Sequence, residues 1–125
     1  MDANLYNGLT LAYIGDAIYE VYVRKQVLDA GFTKVNELHK KVTSYTSALA
    51  QAKTIHYYLG HNILTETELN IFKRGRNSHV HTKRKNVDLA DYLDATGFEA
   101  VLGYLYLKND TLRLEELIAI SLNIN

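Results

Sequence analysis

Two acidic residues sit where the chain is otherwise apolar. Asp16 lies in "LAYIGDAIYE" (residues 11–20) beside Ile14, Ala17 and Ile18, and Glu99 lies in "TGFEAVLGYLYL" (residues 96–107). Each has a glycine close by: Gly15 adjoins the aspartate, and Gly97 stands two residues before the glutamate. A carboxylate unpaired in apolar surroundings either costs stability or takes up a proton. Two of them brought together repel unless a cation lies between them. The chain has no Cys, so an oxygen-only donor set points to Mg²⁺ or Mn²⁺. On this reading the glycines remove bulk so that the backbone of a ligand can approach. The competing reading is structural, with Asp16 paired to Arg24 or a lysine and Glu99 facing solvent. Glu20 follows Asp16 by four residues on the same helical face, as a further ligand, a supporting group or a surface acid.

A second kind of chemistry is concentrated in "KRGRNSHVHTKRK", residues 73–85. Lys73, Arg74, Arg76, Lys83, Arg84 and Lys85 stand there with His79 and His81 and without any acid. The whole chain is neutral, 14 Lys and Arg against 14 Asp and Glu, so the remainder is acidic. A basic segment on an acidic body suits a polyanionic partner; the plainer alternative is a solvated charged loop. The two histidines have the spacing of a metal pair, but no acid or cysteine in the segment completes a site. They are better read as solvated or facing phosphate.

The elements that must position these groups are helical. With no Pro and few alternating runs, the pattern predicts an all-α fold. The first helix is expected from about Leu5 to Ala30, its apolar face formed by Leu11, Ile14, Ile18, Val21 and Leu28, with Gly31 as the stop. Thr33 is expected to cap a short second helix holding Val35, Leu38 and Val42, and a third covers Ser47 to Leu59. "TETE" (residues 65–68) has capping-box spacing and starts a fourth helix that stops near Gly75. The basic segment then reads as a loop, long enough in a compact domain to need a purpose. Asp88 is expected to cap the helix that carries Glu99, and a last helix covers Leu112 to Leu122.

With 47% apolar and 22% charged residues over 125 positions, the chain has the balance of one folded domain, residues 1–125. The opening residues lack the basic stretch and apolar run of a signal peptide. No segment approaches the ~18 apolar residues of a membrane helix. The expectation is a soluble cytoplasmic protein without membrane contact.

These residues also carry a family resemblance. "LAYIGDAIYE" resembles the signature helix of the ribonuclease III family, and "GFEAVLGYLYL" resembles its second motif. The middle segment, "FKRGRNSHVHTKRKNVD", is similar to one branch in particular. That branch is Mini-ribonuclease III, the compact bacterial form without a double-stranded-RNA-binding domain. The resemblance spans about Leu5 to Leu117. It implies a ribonuclease III catalytic-domain bundle of about six to seven helices, with Asp16 and Glu99 as catalytic Mg²⁺ ligands (Mn²⁺ able to substitute). It further implies hydrolysis of double-stranded RNA to 5′-phosphate and 3′-hydroxyl ends, maturation of a 23S ribosomal RNA precursor stem, and a homodimer with one site per subunit. The apolar surfaces of the first and last helices are candidates for that interface. Two further carboxylates of the wider family are replaced here by Ala12 and Thr96, as in the compact branch, which leaves the number of metal ions open. The RNA contacts expected from the basic segment are Lys73, Arg74, Arg76, Asn77, Thr82, Lys83, Arg84 and Lys85. The alternative function is a non-catalytic double-stranded-RNA-binding or ribosome-assembly factor.

Overall fold

The computed structural model describes residues 2–78 and 89–125. Among them the chain forms a short 3₁₀ turn, Ala3–Leu5, and six α-helices: α1 (Gly8–Asp29), α2 (Val35–Thr46), α3 (Ala48–Gly60), α4 (Glu66–Arg76), α5 (Leu89–Leu107) and α6 (Thr111–Ile124). The starts are written locally. Asn7, Ser47 and Asp110 each accept a backbone N–H from the first turn they precede, and Thr65 and Glu68 form the expected capping box. Such caps satisfy donors that a helix leaves unpaired at its N-terminus. For α2 the cap differs from expectation. Lys34, not Thr33, occupies the position and makes no side-chain bond. The expected cap at Asp88 lies outside the described residues.

Helix α5 is the axle. Asp94 to Phe98 and Ala100 to Leu105 are buried, because α1, α3, α4 and α6 all pack around it. Phe98 sits at the centre, with Tyr19 edge-on at 5.0 Å and Tyr58 at 6.1 Å between ring centroids. The polar ends of those tyrosines are absorbed internally: Tyr19 bonds Ser121, and Tyr58 donates to the Leu117 carbonyl. Burial without a charged partner pushes the Tyr19 hydroxyl up to about 12. At the far end Arg113 clamps buried Glu68 through two bonds of 2.8 Å and donates to the Ile63 carbonyl.

One face of α1 is corrected by the structure. The residues that pack inward are Leu11, Gly15, Tyr19, Val23 and Val27, spaced by four. Ile14 and Ile18 are half-buried, and Val21 and Leu28 remain 63% and 54% exposed. An apolar stripe nearly all round a helix leaves its rotation undetermined, and tertiary packing chooses it. Helix α4 also runs further than expected, through Arg76. Lys73, Arg74 and Arg76 are therefore helical residues at a C-terminal turn, where the helix dipole favours cations.

Candidate active site

The site is made by the crossing of α1 and α5. A Cβ placed on Gly15 would stand 1.8 Å from the Glu99 carbonyl oxygen, and one on Gly103 would stand 1.9 Å from that of Leu11. The helices thus touch backbone to backbone on both sides of the crossing, an approach that only glycine permits. This corrects the expectation that the glycines admit a ligand. Gly15 admits α5, and Gly97 admits α4, where a Cβ would meet the Phe72 ring at 2.5 Å. Helix stability is given up at Gly15 so that Asp16 and Glu99, far apart in the chain, come together.

The carboxyl groups of Asp16 and Glu99 lie within hydrogen-bonding reach of each other. Asp16 is exposed, while Glu99 is half-buried. Burial pushes the Glu99 carboxyl up to about 9, and the neighbouring Asp16 acts in the same direction through its hydrogen bond and its charge. Burial and the adjacent carboxyl therefore both favour a proton on Glu99 over two neighbouring charges. Gln51 opposes the shift by bonding Glu99 from α3. It is a 2% exposed amide between Ala50 and Ala52. Sequence reasoning missed Gln51, although its signal was of the same kind as that of Asp16: a polar side chain among small and apolar residues on an inward face.

Two carboxyl groups this close, one of them half-buried, mark a position where a cation would be favoured. The donors are hard oxygens, and they fit a hard divalent ion that keeps most of its shell as water or phosphate oxygen. Among the described residues no group of three or more His, Cys, Asp or Glu is placed to hold a metal, and no third such group joins the pair. Ala12 is buried, and the Thr96 hydroxyl donates to the Tyr92 carbonyl of its own helix at 3.0 Å. Neither replaces the missing acids. Glu20 is a surface acid here, paired to Arg24 at 3.2 Å, so Arg24 is engaged away from Asp16.

The basic residues divide into several groups. Lys73 and Asn77 are exposed, and Asn77 caps the end of α4. Arg74 donates to the carbonyls of Asn4 and Tyr6 at 3.0 and 3.2 Å, holding the N-terminal turn. Arg76 donates from Nε to Asp94 at 2.7 Å, and the other oxygen of Asp94 meets His56 Nε2 at 2.8 Å. Sequence reasoning had given no role to His56 or Asp94. Thr82, Lys83, Arg84 and Lys85, with His79 and His81, lie outside the described residues.

Comparison with known proteins finds relatives along nearly the whole chain. The ribonuclease III domain family matches residues 9–110. A Mini-ribonuclease 3 from Streptococcus pneumoniae is 49% identical over 119 residues, covering 95% of this chain and 93% of that protein. One from Enterococcus faecalis is 50% identical over 117 residues, covering 94% and 89%. A crystal structure of a Fusobacterium nucleatum protein superposes with a TM-score of 0.86 at 31% identity, covering 98% of this chain and 96% of that one.

Proposed function

The chain belongs to the ribonuclease III family, in its Mini-ribonuclease 3 branch, and from that premise we infer that it is an endoribonuclease cutting double-stranded RNA at the Asp16–Glu99 pair. The observation that carries this is the pairing itself. A pure RNA-binding or assembly factor gains nothing from two acids brought against each other at a helix crossing that glycines allow to close.

Asp16 and Glu99 are the residues that would hold Mg²⁺, or Mn²⁺ in its place. When bound, the ion supplies Lewis-acid polarisation of the phosphodiester and a more nucleophilic water. The chain's own residues do the remainder. Gln51 fixes the orientation of the Glu99 carboxyl, and Asp16, exposed at the rim, meets the incoming strand. Lys73, Asn77 and the segment bearing Thr82, Lys83, Arg84 and Lys85 bind the sugar-phosphate backbone, which suits A-form RNA, whose deep groove is closed to side chains. The products are 5′-phosphate and 3′-hydroxyl ends.

One acid pair cuts one strand, so cleavage of both strands calls for a two-fold homodimer. Supporting surface exists on α1 and α2, where Leu28, Val35, Leu38 and Val42 line a groove of about 570 Å³. Helix α6 offers less, since Leu114, Leu117 and Ile118 are spent on the core. The biological substrate we assign is a stem of the 23S ribosomal RNA precursor, in the cytoplasm. Among the described residues no helix is long and apolar enough to cross a membrane.

The test is cleavage of a labelled RNA duplex by the parent protein and by Asp16→Asn, with Mg²⁺ and with EDTA. The expected result is fragments only from the parent with metal. Undiminished cutting by Asp16→Asn removes the site.

A further inference from the structure

The three-residue cluster of His56, Asp94 and Arg76 has no place in the chemistry above, yet it is built with care. Asp94 is 7% exposed on α5 and accepts from cationic or polar donors on two other helices, Arg76 Nε of α4 at 2.7 Å and His56 Nε2 of α3 at 2.8 Å. The donors themselves look outward: the His56 side chain is 58% exposed and that of Arg76 39%. Helices α3 and α5 run antiparallel, since Gln51 meets Glu99 while His56 meets Asp94. Both contacts are five residues apart along their helices, so the cluster lies about 7.5 Å along the seam from the catalytic pair. It also stands where α4 ends and the basic segment begins.

The chemistry of the cluster selects its ligand. An ionised carboxylate only accepts, so in the neutral ring facing it His56 Nε2 is the nitrogen that carries the hydrogen and donates to Asp94. In that ring Nδ1 is an acceptor, on a side chain that is more than half exposed, and no partner for it is found among the described residues. A phosphate oxygen has no hydrogen to give it, but a ribose 2′-hydroxyl does, and that group distinguishes RNA from DNA. Among the described residues Arg76 engages only Nε, with Asp94, which leaves its Nη donors to meet an adjoining phosphate. Resting on the nuclease reading, we propose that His56, oriented by Asp94, accepts a 2′-hydroxyl of the bound duplex beside the cleavage site and is the residue by which this protein prefers RNA to DNA there. Asp94 is a positioning residue, acting through the tautomer of His56.

The experiment measures duplex affinity by fluorescence anisotropy, with Mg²⁺, in the Asp16→Asn protein so that the duplex stays intact. Single 2′-deoxy substitutions are moved along one strand. With His56 present, one or two positions lose about three- to tenfold in affinity, the worth of one hydrogen bond. With His56→Phe added, the loss disappears at those positions and the other positions are unchanged. Asp94→Asn gives the same disappearance, because its amide can donate to Nε2 and drive the ring hydrogen to Nδ1. A long-range ¹H–¹⁵N spectrum of the parent reads the tautomer directly, whatever the folding of the variants, and should place the hydrogen on Nε2. A deoxy penalty identical with and without His56 at every position, or a ring hydrogen on Nδ1, overturns the proposal while leaving the nuclease standing if Asp16→Asn has lost cleavage. A parent that neither binds nor cuts duplex RNA overturns the nuclease reading itself.

Discussion

Gly15→Ala sets two physical effects against each other. In a helix interior Ala is favoured over Gly by about 1 kcal/mol, so propensity alone predicts a more stable protein. The added Cβ, however, would stand 1.8 Å from the Glu99 carbonyl oxygen, where ordinary contact begins near 3.4 Å. The obstacle is backbone and cannot rotate away, so α1 and α5 must part by about 1.6 Å. Overpacking of a core typically costs about 1–3 kcal/mol, and a rigid obstacle at the central crossing belongs at the upper end. The net is a loss of about 2 kcal/mol, or a fall in melting temperature of about 8 °C for a chain of this size. The same parting moves Asp16 away from Glu99, and a displacement of that order costs about 100-fold in activity. Gly60→Ala is the control: no atom lies within 4 Å of its added Cβ, so propensity is unopposed and stability should hold or rise by a few tenths of a kcal/mol. Thermal melts and duplex-RNA cleavage rates of both variants decide the matter. If Gly15→Ala melts no lower than the parent and cleaves within a factor of three of it, the crossing does not position the site and the reasoning fails.

In EDTA, Glu99 should make stability fall as pH rises. Its folded value of about 9 lies above the ordinary 4.5, so the folded state holds the extra proton between those limits. Its contribution is complete below about 4.5 and lost through 9, at up to about 1.4 kcal/mol per pH unit. Glu99→Gln should flatten the metal-free melting profile over that range, and a profile identical to the parent's would refute the proton on Glu99. Gln51→Leu removes the one group that favours the charged form of Glu99. It should raise the Mg²⁺ concentration needed for half-maximal cleavage several-fold, with a circular dichroism melt confirming the fold. Changing Lys83, Arg84 and Lys85 together to Ala should weaken duplex binding and reduce the slope of log affinity against log salt by about one for each phosphate no longer neutralised. An unchanged slope in a salt titration removes them from the interface.

Sequence alone determined what is local. The capping box of Thr65 and Glu68 could be read directly, because it rests on hydrogen bonds within a few residues of one another; the caps at Asn7, Ser47 and Asp110 are equally local but were not singled out. Short-range chemistry of that kind can be read without the fold. The oddity of Asp16 and Glu99 among apolar neighbours was equally legible, because burying a charge is costly, although packing buries only part of Glu99 and leaves Asp16 exposed. What sequence could not supply was relative placement. Helix α1 is apolar on several faces, so only packing against α5 decides that Tyr19 and Val23 turn inward while Val21 and Leu28 stay out. Gly15 suits the approach of a ligand as well as that of a helix, and α5 is what fills the space beside it. Gln51, His56 and Asp94 acquire meaning only from partners some 18 to 48 positions away. Pairings across such separations depend on how whole helices stack, and no local pattern in the chain encodes them.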